Sequence, residues 1–395
     1  MKTVKLGEIA ELTVGFVGSM TEQYVDEGVP FLRSLNIKPF EINSDDIRYI
    51  TEEFNKKIKK SMLHSGDVVI VRTGVPGTCC VVPEEYDGCN CSDVVIVRPN
   101  KELVDPLYLA GFVNFWGQKQ ISNNKVGAIQ QHFNVRIAEE MLIMLPNLDE
   151  QRKIGKILGN LNRKISANKV INDNLSNMIS DIYQHMFCAK ELPSNWTMGK
   201  VSDVILQVNT GLNPRDNFVL GGGKIKYITV KNLTTDGQID FSNCDTIDEE
   251  ARQIVHNRSD ISVGDILFAS ISPLGRCYLI QTAPNEWDIN ESVFSIRPNY
   301  CVVSSEYLYS YFMSDYFVSK AQSSSTGSIF KGIRIGTLLD MDIVMPTQDA
   351  IAEFTEKTKP LFLEKEKVFN ESIKLKKLRD WLLPMLMNGQ ATISD

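Results

Sequence analysis

Val94-Val-Ile-Val-Arg-Pro-Asn100 decides the reading of this chain, because Val293-Phe-Ser-Ile-Arg-Pro-Asn299 repeats it 199 residues later. An apolar run closed by Arg-Pro-Asn reads as a buried strand ending in a turn. Its return directs the comparison outward in both directions. Upstream, Ser65-Gly-Asp-Val-Val-Ile-Val-Arg72 matches Val263-Gly-Asp-Ile-Leu-Phe-Ala-Ser270, and Gly77 falls on Gly275. Phe31-Leu-Arg-Ser-Leu-Asn-Ile37 stands beside Tyr227-Ile-Thr-Val-Lys-Asn-Leu233, and Lys5-Leu-Gly-Glu-Ile-Ala10 beside Lys200-Val-Ser-Asp-Val-Ile205. Downstream, Pro106-Leu-Tyr-Leu109 meets Ser305-Glu-Tyr-Leu308, Gly127-Ala-Ile129 meets Gly327-Ser-Ile329, and Leu145-Pro146 meets Met345-Pro346. The order is kept while the offset drifts only from 195 to 200, so the 395-residue chain is a tandem duplication.

Within each copy, short apolar strands (Val68–Val71, Val94–Val97, Ile266–Ala269, Val293–Ile296) alternate with glycine-marked turns, and the segments from Tyr108 to Gln120 and from Tyr307 to Gln322 read as helices. The last quarter of each copy differs. From Leu148 the chain runs without proline to Phe187, and Ile154, Leu158, Leu161, Ile165, Asn168, Asn172, Leu175, Ile179, Ile182 and Met186 step by four and three. That is a heptad seam of about 60 Å. In the second copy Phe354, Leu361, Val368, Leu375 and Leu382 are each seven apart, with Phe362, Phe369 and Leu383 widening the stripe and Gly389 closing it. Two seams in one chain suit each other as an antiparallel pair. Asn168 and Asn172 either sit in the seam and fix its register or face water with Ile171 taking their place. Pro360 predicts a kink or a late helix start. The expected fold is α+β: modules at 1–147 and 191–346, long helices at 148–190 and 347–395, related by a pseudo-two-fold axis.

Charge narrows the function. The net charge is −7, and it is uneven: residues 1–147 carry 15 basic against 19 acidic side chains, 148–190 carry 7 against 4, 191–346 carry 12 against 18, and 347–395 carry 8 of each. Neither module has the basic excess with which a nucleic-acid domain usually neutralises phosphates. A duplicated protein nevertheless suits a bipartite target such as two half-sites on a duplex. If it reads DNA, a partner helps to hold it there. No apolar run reaches the roughly 18 residues that cross a bilayer, and the first ten residues lack a signal-peptide core, so a cytoplasmic location is expected.

Catalytic and metal chemistry find little support. Cys79, Cys80, Cys89 and Cys91 cluster, but neighbours on a strand point to opposite faces and cannot easily share one ion, so no metal is expected. His64, His185 and His256 have no evident partner in the sequence. There is no Asn-Pro-Pro-Tyr or Asp-Pro-Pro-Tyr, no G-x-x-x-x-G-K-[ST] phosphate loop, and Gly221-Gly-Gly223 lacks the strand and helix that frame a phosphate cradle.

Four features together carry a resemblance: the duplication; Gly127-Ala-Ile-Gln-Gln-His-Phe-Asn134; Leu148-Asp-Glu-Gln-Arg-Lys-Ile-Gly-Lys-Ile-Leu158; and Leu378-Arg-Asp-Trp-Leu-Leu-Pro-Met-Leu-Met-Asn-Gly-Gln390. Over essentially its whole length the chain resembles the specificity subunit of type I restriction-modification systems. That resemblance implies two target recognition domains, each reading half of a split asymmetric DNA site, and two helical regions that set the spacer. It also implies two modification subunits that bind S-adenosylmethionine and methylate adenine, and restriction subunits that use ATP and magnesium. This chain is then a non-catalytic, DNA-binding subunit without a cofactor of its own. Two rivals stay open: a coiled-coil adaptor that joins proteins without touching DNA, and a self-contained DNA methyltransferase or nuclease.

Direct readout needs paired donors and acceptors: Arg for guanine, Asn or Gln for adenine. Positions that differ between copies while their flanks match are where two half-sites would be distinguished. Three places qualify: Arg33 and Asn36 facing Lys231 and Asn232; Arg72 and Thr73 facing Ser270 and Ser272; and Gln130, Gln131, His132 and Asn134 facing Lys331 and Arg334. The alternative for each is structural, the arginines pairing with module carboxylates and the amides capping turns. The first long helix is the net-positive region, so Lys164 and Lys169 are candidates for spacer phosphates, although a solvated helix face has the same pattern.

Overall fold

The computed structural model of the chain describes residues 2–44, 46–117, 133–188, 191, 193–272, 274–324, 332–391 and 393. Both copies fold to the same α+β module. In the first, an antiparallel sheet has the order Ala10–Val14, Val94–Pro99, Val68–Val71, Cys79–Val81. In the second, the order is Ile205–Thr210, Val293–Pro298, Ile266–Ala269, Cys277–Leu279. Val68–Val71, Val94–Val97 and Ile266–Ala269 are apolar and buried at every position because the sheet is covered on both faces. Val68, Ile70, Cys79, Val95 and Val97 enter one core, and Val69, Val71, Cys80, Val94 and Ile96 enter another. Cys79 and Cys80 therefore lie on opposite faces of the sheet, as alternation requires. Ile266, Phe268, Phe294 and Ile296 repeat the first arrangement, and Leu267, Ala269 and Val293 the second.

A second small sheet flanks each module. Asn90–Cys91 pairs in parallel with Val29–Leu32, and Trp287–Ile289 pairs in parallel with Ile225–Ile228. A third pairing closes the module just before its long helix, Lys2–Lys5 against Leu142–Leu145 and Thr197–Lys200 against Asp342–Met345. The best-matching blocks of the repeat serve this scaffold. Asp67 accepts from the His64 amide at 2.9 Å and lies 3.7 Å from Arg98. Asp265 accepts from the Ser262 amide and from Arg297 Nε at 2.8 Å. Tyr108 donates to the Met144 carbonyl at 2.5 Å and Tyr307 to the Val344 carbonyl at 2.6 Å, tying a helix to the closing strand in each copy. The expected helical segments are irregular: Pro106–Phe112 passes into a wider helical turn at Val113–Gly117, beyond which residues 118–120 lie outside the described residues, and Ser314 separates Ser305–Met313 from Asp315–Ser324.

The long helices span Leu148–Phe187 and Gln348–Met387, each 40 residues. None of the described helices is long and apolar enough to cross a membrane. The chain divides into two compact units, Met1–Ala167 with Ser372–Asp395, and Asn168–Glu371, so each unit combines one module with part of both helices. In the first unit Leu158, Leu383, Leu386 and Met387 join the module core, and Arg379 donates to Asn162 Oδ1 at 3.2 Å. In the second unit Asn168 Nδ2 donates to Glu371 Oε2 at 2.7 Å, while the Phe187 ring lies 5.3 Å from that of Phe354. In both, the later residue of one helix meets the earlier residue of the other, so the helix segments run antiparallel. Leu158, Ile165, Ile179 and Val368 are buried, and Leu161, Leu175, Leu361, Leu375 and Leu382 are half-buried.

Two expectations about the helices are settled by packing. Asn168 and Asn172 are buried and Ile171 is exposed, so the polar residues do occupy the seam. Pro360 does not start the second helix, which is helical from Gln348 through Pro360 to Met387. A proline inside a helix costs about 3 kcal/mol. Burial of Phe354, Phe362 and Val368 on either side outweighs that local penalty. Gly389, at a φ of 65°, takes the left-handed conformation that closes the helix.

Candidate nucleic-acid interface

The first candidate loop is a tight turn after a strand, Ser34–Asn36 in one copy and Val230–Asn232 in the other. Asn36 is fully buried, accepts from the Arg33 amide at 3.0 Å and donates to the Asn43 carbonyl at 3.2 Å. Asn232 does the same with the Thr229 amide and the Asp240 carbonyl. Both amides close the turn from inside, which removes Asn36 and Asn232 from the candidate base readers. Arg33 is also engaged: its guanidinium bonds the main chain and carboxylate of Asp46 and holds that carboxyl below its usual pKa. Lys231 stands exposed on the same turn.

The second candidate loop splits likewise. Ser270 is buried and donates to the Ser292 carbonyl at 2.8 Å, so its hydroxyl is structural and not available to a base. Arg72 Nε donates to the Phe133 carbonyl at 3.1 Å, leaving the remainder of its guanidinium half-buried. Thr73 is half-buried and Ser272 is exposed. In the third place Gln130, Gln131, His132 and Lys331 lie outside the described residues. Asn134 caps the helix Val135–Glu139 by accepting from the Ile137 amide at 3.0 Å. Arg334 opens the corresponding helix Ile335–Leu339 and is exposed, with no capping bond from its side chain. Lys164 and Lys169 are exposed on the first long helix.

The structure brings to the first two loops of the second module residues that the sequence comparison passed over. A cavity of about 320 Å³ is lined by Lys231 and Ile271 and by Asn243, Asp245, Asn290 and Ser292. Asn290 corresponds to Ser92, because their amides make the equivalent bonds to the Ile228 and Leu32 carbonyls, and it stands three residues before a matching block. A second omission is His256, whose Nδ1 lies 3.0 Å from Asp288 Oδ2. Ser259 donates to the other oxygen of Asp288 at 2.6 Å, and burial raises the Asp288 pKa. The serine proton is committed to the carboxylate rather than to the imidazole, so this cluster is not arranged as a nucleophile and its base. It is the second copy of a tether, because Asn90 Nδ2 donates to Asn55 Oδ1 at 2.9 Å in the first module.

With this geometry in hand, the comparisons agree with one another. Residues 1–177 match the family model described as the type I restriction modification DNA specificity domain. The MjaX type I restriction enzyme specificity subunit of Methanocaldococcus jannaschii is 22% identical over 99% of this chain and 96% of its own length. The MjaVIII specificity subunit of the same organism is 21% identical over 96% of this chain and 87% of its own. The crystal structure of a type I restriction-modification S subunit from M. genitalium superposes with a TM-score of 0.63 at 12% identity, covering 98% of this chain and 95% of that one, and so shares the fold. Residues 1–177 thus carry the match to the type I restriction modification DNA specificity domain, and the chain over nearly its whole length is similar to type I restriction enzyme specificity subunits.

Proposed function

We propose that the chain binds a split DNA site without catalysing a reaction, each module reading one half while the long helices set the spacer and dock the modification subunits. The observation that carries this is the pairing of closely similar scaffolds with different surfaces. The central four-stranded sheets of the two modules share strand order and pairing, yet Leu35 and Thr73 of one stand where Lys231 and Ile271 stand in the other. One fold carrying two surfaces is what an asymmetric bipartite site requires. The acidic balance of both modules supports a division of labour in which partners supply much of the phosphate grip. S-adenosylmethionine, ATP and magnesium belong on those partners, two modification subunits and the restriction subunits, and the complex works on chromosomal DNA in the cytoplasm. Among the exposed polar residues of the loops, Lys231, Thr73, Ser272, Arg334 and the open part of Arg72 remain the base-contact candidates, with Lys164 and Lys169 on spacer phosphates.

The deciding experiment replaces residues 1–147 by the corresponding module of another family member and maps methylated adenines made by the assembled complex. One half of the recognised sequence should change while the other half and the spacer stay. A change in both halves, or in neither, overturns the assignment of one module to one half-site. For the helix lysines, replacing Lys164 and Lys169 together by alanine should lower the salt slope of DNA binding by about two, at unchanged sequence preference.

A further inference from the structure

We propose, building on the DNA-reading function above, that the cavity of the second module is a pocket that reads one G·C base pair. Lys231, Asn290 and Ser292 donate to the guanine, and Asp245 accepts from the cytosine. The argument rests on which polar atoms are already used. Asn290 Oδ1 accepts from the Ser292 amide at 3.2 Å, whereas its Nδ2 has no partner among the described residues. The Ser292 carbonyl accepts from Ser270, while the Ser292 hydroxyl is uncommitted among the described residues. Lys231 is exposed at the rim and has no ion pair among the described residues. Three groups able to donate thus line one cavity, and two of them, the Lys231 ammonium and Asn290 Nδ2, can only donate. In the major groove guanine presents two acceptors, O6 and N7, whereas adenine and cytosine each present a donor. Asp245, exposed on the same cavity, supplies the acceptor that the cytosine amino group of the pair needs.

The floor of this pocket is held by the scaffold. The Asn290 amide donates to the Ile228 carbonyl at 2.8 Å, and the Ser270 amide donates to the Ser292 carbonyl at 3.0 Å. A rigidly placed set of donors discriminates better than a mobile one. The first module differs at the same place. Leu35, 45% exposed, replaces Lys231, and Ser92 replaces Asn290, so the donor set is not reproduced there.

The test uses the full complex of this chain with its modification subunits, acting on duplexes in which both halves of the site are randomised, with methylation read by sequencing. The wild-type complex should enrich a G·C pair at one position of the half-site assigned to the second module. Asn290→Asp keeps the oxygen that receives the Ser292 amide and converts only the unengaged donor, so the fold is preserved. It should reduce the preference for G·C at that position about tenfold or more. Lys231→Leu and Ser292→Ala should weaken the same position by several-fold, and preferences in the other half-site should stay as in the wild type. Unchanged preferences in all three variants, or an equal loss on every sequence, would overturn the pocket. A wild-type complex with no preference at any position would overturn the DNA-reading function itself, a result distinguishable from failure of the pocket alone.

Discussion

Phe40 holds a φ of 69° and Gly237, at the same place in the other copy, holds 74°. The left-handed region costs a non-glycine residue about 1 kcal/mol. Phe40 sustains it because its ring packs at the edge of the first module core, with the Arg379 guanidinium 5.2 Å from the ring centre. In the second copy there is no room for a side chain, since a Cβ at Gly237 would strike the buried Tyr309 hydroxyl. Gly237→Ala should therefore destabilise the protein by about 2 kcal/mol or more, read as a fall in Tm. Lys365 offers a second prediction. It is buried, donates to the Asp236 carbonyl at 2.6 Å, and burial pulls its pKa down to about 8. The unfolded chain binds this proton up to about pH 10.4. Between pH 8 and that value the unfolded state holds more protons than the native one, so stability rises with pH through the window. The Tm of the wild type relative to Lys365→Met should accordingly rise from pH 8 to pH 10.4 and be flat below pH 7.5. Neither the strain at Phe40 nor the burial of Lys365 is legible locally, because both depend on neighbours distant in sequence.

At the scale of elements, the heptad spacing correctly anticipated two long helices but not what each seam residue touches. Leu158 packs into the module core with Leu383 and Met387 and is 1% exposed, whereas Leu161 three residues on is half-buried. Leu158→Ala should cost about 2–5 kcal/mol in denaturant unfolding, and Leu161→Ala distinctly less. Asn168 is fully buried and its Oδ1 has no partner among the described residues, a cost in stability that a register-setting residue typically carries. Asn168→Leu should raise the unfolding midpoint by the equivalent of about 1 kcal/mol. The strands were legible because a sheet covered on both faces leaves uninterrupted apolar runs. The two halves of the segment from Ser305 to Ser324 were not separated in advance, although Ser314 gives a local signal: it is extended, ends the first helix and accepts from the Phe317 amide at 3.3 Å at the start of the second.

For the whole molecule, the helices as ruler make a quantitative prediction. Adding seven residues to both should lengthen each by about 10 Å, which is roughly three base pairs of duplex. Both half-sites should be retained with a longer spacer, and mapping of methylated adenines would check it. The duplication, the α+β character of the modules and the two long helices were determined by sequence alone, because repetition and periodicity are properties of the order of residues. The tertiary structure decided which candidate side chains remain available. Asn36, Asn232 and Ser270 were indistinguishable in sequence from base readers, yet their polar atoms are spent on turn carbonyls and amides. Asn290 was missed because it sits where two strands separate in sequence become neighbours, beside Ile228. Whether a polar atom faces solvent or satisfies the backbone depends on chain segments brought together only by folding, and that physical fact divides what order reveals from what packing decides.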